Sequence, residues 1–121
     1  MIKIFDVMAL TAYCVLIYGL SAQESLPAPM WFAHQDKLHH AIAYAVMAMF
    51  AWRALRHWFD RPIILAFLSL GFCSLYGVSD EWHQAFVPGR DSGAADWLAD
   101  TVGAALAIGV VYRWQRGRAK N

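Results

Sequence analysis

The chain has 121 residues, 60% of them hydrophobic and 16% charged, with a formal net charge of +1. That length holds one domain over residues 1–121, and the apolar fraction exceeds the roughly 45–50% of soluble globular chains, so a membrane protein is expected. A near-neutral balance with basic residues in short clusters excludes a nucleic-acid surface, which needs a continuous basic stripe.

From Val7 to Gln23, 17 residues carry no charge, which predicts a first span between Asp6 and Glu24. A secretory signal is the competing reading, with Lys3 as a thin basic start, but Asp6 opposes it. Cys14 lies in this run and Cys73 in a later one, where a thiol behaves as a small hydrophobe; neither a disulfide framework nor a thiol-metal motif is legible. Ser21 to Gln35 carries Pro27 and Pro29 beside Trp31 and Phe32, a turn-rich loop with aromatics suited to the headgroup level. Leu38 to Trp52 is uncharged for 15 residues and Pro62 to Ser79 for 18, and Pro62 suits a first helical turn. Thr101 to Tyr112 gives a last uncharged run of 12.

The fold class expected is therefore all-α: a four-helix transmembrane bundle with a polar extracytoplasmic loop, about residues 80–96, between helices three and four. Lys3, Arg53, Arg56, Arg61, Arg113, Arg116, Arg118 and Lys120 fall at one end, against Lys37 and Arg90 at the other. The positive-inside rule places both termini in the cytoplasm. Crossing about 30 Å of hydrocarbon takes roughly 20 helical residues, so helices two and four are too short in apolar residues alone. Their deficit is met by drawing Asp36, His40, Asp96 and Asp100 inward. At 100° per residue Asp36, His40 and Tyr44 share one stripe, and Asp96, Asp100, Gly103 and Ala107 another. Gly103-x-x-x-Ala107 permits close helix approach.

Between Tyr76 and Gly103 the chain concentrates five of its nine acids, with His83, Gln84 and Arg90 among them. Carboxylates in a low-dielectric site need a proton, a cation or paired donors. Lys37, His39, His40, His83 and Arg90 are the candidate donors. Ionisable groups at membrane depth are a functional site by default, because leaving them there is costly.

These residues resemble the VanZ-like family of small bacterial integral membrane proteins. The likeness rests on Asp36-Lys37-x-x-His40-x-x-x-Tyr44, on Ser79-Asp80-Glu81-x-His83-Gln84-x-Phe86-x-Pro88-Gly89-Arg90, and on Asp96-x-x-x-Asp100-x-x-Gly103. Tyr18-x-x-Ser21-x-Gln23 is similar to the family's end of helix one, whereas Asp100 stands where many members carry Asn. The resemblance implies a role at the cell envelope; the family is associated with resistance to the glycopeptide teicoplanin.

The expected site has Asp36, His40, Asp80, Glu81, His83, Gln84, Asp96 and Asp100 as candidate catalytic groups, with Arg90, Tyr44 and Lys37 as binding groups. Catalysis on a lipid-linked substrate would use imidazole and a tuned carboxylate as acid and base, with guanidinium on phosphate. Binding of a membrane lipid, a cell-wall precursor or a lipoglycopeptide without turnover accounts for the same residues, and purely structural capping and proton or ion transport stay open. His and carboxylates suit a divalent metal, but the spacing does not demand one: Glu81 and His83 point to different helix faces and no His-x-x-x-His pair occurs.

Overall fold

The computed structural model describes residues 1–23, 31, 35–89 and 93–121. Four helices follow in chain order, α1 (Ile2–Ser21), α2 (Gln35–Leu55), α3 (Pro62–Gln84) and α4 (Ala94–Ala119). No strand occurs among the described residues. The C-terminal ends of α1 and α3 gather with the N-terminal ends of α2 and α4, since Ser21 meets Asp80 and His40 meets Asp100. The topology is thus up and down.

Helices of 20 to 26 residues are about 30 to 39 Å long at 1.5 Å per residue, enough for a hydrocarbon core of about 30 Å. α1, α3 and α4 are long and apolar enough to cross a membrane. α2 matches them in length at 21 residues but not in apolarity, because its first two turns carry Asp36, Lys37, His39 and His40. The surface is inverted relative to a soluble protein. Phe67, Leu75, Leu106 and Val110 are each more than two-thirds exposed, while Asp80, Glu81, Gln84, Asp96 and Asp100 are buried. Soluble monomers rarely expose so much contiguous apolar surface; hydrocarbon is the solvent this exterior fits.

α2 packs against all three other helices, and α1 lies on α2 and α3. The closest approach joins α2 to α4: a Cβ built on Gly103 would fall 2.0 Å from the Ala41 carbonyl oxygen, so no larger residue fits. The small-residue stripe read from the sequence is a backbone-to-backbone contact of the kind that membrane helices use in place of a hydrophobic drive. Below it Tyr44, Met47, Ala48, Trp52, Leu65, Cys73, Ala104 and Ile108 form an apolar core. Tyrosine hydroxyls anchor α1: Tyr13 donates to the Ala43 carbonyl at 2.6 Å and Tyr76 donates to the Cys14 carbonyl.

The polar loop expected over residues 80–96 is shorter than that. α3 continues to Gln84 and α4 begins at Ala94, so Asp80, Glu81, His83, Gln84 and Asp96 are helical. The physical reason is that Asp80 and Gln84 find partners inside the bundle, so the polar residues continue the helix. Gly89 then turns the chain at φ 78°, a region open to glycine, and Asp96 sits in the first turn of α4, where a carboxylate complements the helix dipole.

The opposite end has its own polar cluster. Asp6, 2% exposed, meets Arg53 and His57 at 2.8 Å each, and the Lys3 ammonium lies 4.1 Å from the Trp58 ring centroid. Arg118 lies over Trp114 and Arg116 over Tyr112 on the same side. Cations paired with amphipathic aromatics form an interfacial belt. Asp6 as a structural partner was not legible in the sequence, where it reads only as the edge of the first apolar run.

Candidate functional site

The site is built from three helices. α2 contributes His40 and Tyr44, α3 contributes Asp80 and Glu81, and α4 contributes Asp100. His40 Nδ1 and Asp100 Oδ1 share a hydrogen bond at 2.7 Å, and Glu81 Oε1 lies 3.8 Å from the same nitrogen. Asp100 is fully buried, and its Oδ2 has no hydrogen-bond partner among the described residues; the same holds for Glu81 Oε1. The other Glu81 oxygen accepts the Gly93 backbone N–H at 3.0 Å, which ties the start of α4 to the end of α3. Gly77 makes room for this arrangement: a Cβ there would stand 3.1 Å from Asp100 Oδ2 and 3.3 Å from the Trp97 ring.

Asp80 is held by hydroxyls. Tyr44 donates to Oδ2 at 3.1 Å and Ser21 donates to Oδ1, while Gln84 Nε2 donates to the Ser21 oxygen at 3.2 Å. One atom from each of His40, Asp80, Glu81 and Asp100 can be chosen so that all lie within 4.8 Å of one another. The types and spacing are those of a set that could surround a divalent cation, and equally of an acid–base pair beside a carboxylate.

The remaining expected site residues divide. Lys37 stands at the rim, its Nζ 2.8 Å from both Asp36 and Asp96, so Asp96 is buried with a partner. Asp36 does not point inward with His40 and Tyr44 as expected; its side chain is 48% exposed. Its 2.8 Å contact with Lys37, itself at the rim, keeps it out of the pocket. His83 is also outside the cluster, stacked on Tyr18 at 4.4 Å between ring centroids, because two residues from Glu81 it projects from another face. Gln84 serves Ser21 and through it Asp80. Arg90 lies outside the described residues.

Ser21 was legible only as part of a motif and Trp97 only as one of several aromatics near the site, and the Gly93 N–H carries no sequence signal for its role. Trp97 Nε1 donates to the Ser74 carbonyl at 3.1 Å, which fixes the ring against α3. It thereby helps wall an open groove of about 290 Å³ lined by Val78, Glu81, Trp82, Gly93, Ala94 and Trp97. The groove lies between the end of α3 and the start of α4, and Glu81 is its ionisable residue.

No curated protein and no solved structure matches the chain. The model of the VanZ/LLP1 family matches residues 4–115, which takes in α2 and α3 whole, most of α1 and α4, and every residue of the site. The helical architecture, the apolar exterior and that match agree, and the chain belongs to the VanZ/LLP1 family.

Proposed function

We propose that this chain is a multi-pass protein of the bacterial cytoplasmic membrane that binds the polar head of an envelope amphiphile between α2, α3 and α4. The amphiphile is a lipid, a lipid-linked cell-wall precursor or a lipoglycopeptide, its tail lying along the groove between Trp82 and Trp97. The observation that carries the reading is where that groove leads. An open slot walled by tryptophans on the outer side of the bundle reaches Glu81, whose buried Oε1 has no described hydrogen-bond partner and lies beside the His40–Asp100 pair. Concave sites of a few hundred Å³ with apolar walls and a few convergent polar groups are the usual form of a ligand pocket. The end bearing Arg53, Arg56, Arg61 and the basic C-terminal residues faces the cytoplasm on the positive-inside rule, and the pocket then opens in the outer leaflet.

The experiment is native mass spectrometry of the chain purified with a total envelope lipid extract, with the lipoglycopeptide in a separate arm. One amphiphile class is expected to be retained, and Glu81→Gln and Trp82→Ala to reduce its retention at least fivefold. Equal retention by both variants, or none by the unaltered chain, overturns the reading. A second reading, turnover of the bound amphiphile, is favoured by the 2.7 Å His40–Asp100 contact, which resembles an oriented general base. A product of altered mass in the same incubation, lost in His40→Ala, distinguishes turnover from binding alone.

A further inference from the structure

We infer that His40, Asp80, Glu81 and Asp100 form a binding site for one divalent cation of oxygen preference. Three carboxylates and one imidazole converge from three helices, and a ligand atom from each lies within 4.8 Å of all the others. Two oxygen ligands of one hard divalent ion stand at most roughly 4.6–5.2 Å apart, so a set whose atoms all lie within 4.8 Å of one another is compact enough to share an ion.

The second observation is independent of the clustering. Glu81 Oε1 and Asp100 Oδ2 are buried without a hydrogen-bond partner among the described residues, on side chains only 10% and 0% exposed. A buried acceptor left unpaired is costly, and an ionised one more so. The structure supplies partners for the other oxygens: Tyr44 and Ser21 for Asp80, the Gly93 N–H for Glu81 Oε2, and His40 Nδ1 for Asp100 Oδ1. Lys37, the basic side chain of α2 at this end, makes its 2.8 Å contacts with Asp36 and Asp96 instead.

The groups around the set fit this role. Hydroxyl donors on Asp80 and a backbone donor on Glu81 fix the orientation of carboxylates, as the outer hydrogen bonds of metal ligands do. His40 would hold the ion through a deprotonated ring nitrogen, its proton passing to water on binding, and Asp100 would offer its carboxylate beside it. One imidazole with a majority of carboxylate oxygens suits Mn²⁺, which accepts both, better than a thiolate-seeking ion. Water can reach Glu81 through the groove at its side.

The test uses the full chain in detergent, treated with a chelator and then titrated with Mn²⁺ alone, the free ion being followed by electron paramagnetic resonance. One Mn²⁺ per chain is expected, with Kd raised at least tenfold by Glu81→Gln and by Asp100→Asn, and unchanged by Asp60→Asn at the opposite end. Circular dichroism checks each variant; if Asp100→Asn does not fold, Glu81→Gln decides. No saturable binding to the folded chain, or the same Kd in Glu81→Gln, overturns the site. The site does not depend on the amphiphile, and retention of envelope lipid is measured in the same samples. Lipid kept without ion binding removes the cation site and leaves the proposed function standing, whereas ion bound without lipid does the reverse.

Discussion

Asp80 and Glu81 are chain neighbours on one helix, yet their surroundings assign them opposite roles. Asp80 has a hydroxyl donor on each oxygen, from Tyr44 on α2 and Ser21 on α1, and so fastens three helices together. Removing one donor leaves a buried acceptor under-satisfied; Tyr44→Phe is expected to lower the unfolding free energy by about 1–3 kcal/mol, read by denaturant titration in micelles. Glu81 has a single described donor, the Gly93 N–H. Glu81→Gln keeps an oxygen for that bond, so stability is expected to change by less than about 1 kcal/mol while retention of ligand falls. The sequence placed both acids in the site but could not separate them. Ser21 lies 59 residues from Asp80, and nothing local connects the two.

At the scale of the helix, the contact between α2 and α4 decides whether the site assembles, because it brings His40 to Asp100. Gly103→Ala sets a methyl group against the Ala41 backbone, which cannot rotate away as a side chain would. A loss of at least ~3 kcal/mol is expected. Gly109→Ala on the same helix meets nothing within 4 Å and is expected to be neutral or to stabilise by up to ~1 kcal/mol. The same micelle titration checks both, and equal effects would mean that the close approach is not what holds the helices. The small-residue stripe was legible from Gly103 and Ala107, since close packing in lipid requires small side chains. The ends of α3 and α4 were not. The expected loop over 80–96 overlaps the helical stripe on which the spacing puts Asp96, and the overlap resolves in favour of helix: Asp80, Gln84 and Asp96 are polar and helical because partners on α1 and α2 receive them.

For the whole molecule, the two ends carry separate polar clusters about an apolar middle. Asp6→Asn removes the ion pairs with Arg53 and His57 and is expected to lower the unfolding midpoint while ligand retention at the far end stays unchanged; a loss of retention would show that the ends are coupled. Orientation is tested with Cys14 and Cys73 replaced by Ser: Phe86→Cys is expected to react with a membrane-impermeant thiol reagent from outside the cell, and Asn121→Cys is not. Reversed labelling would turn the pocket towards the cytoplasm. The amino-acid sequence by itself determined the helical class, the apolar exterior and the small set of ionisable residues in which the site lies, because hydropathy and helical period are local properties. Only the tertiary structure decided that His40, Asp80, Glu81 and Asp100 meet while Asp36 and His83 turn elsewhere. Which groups share a pocket depends on the rotation and approach of three helices, and that is set by contacts such as Gly103 on Ala41 between residues far apart in the chain.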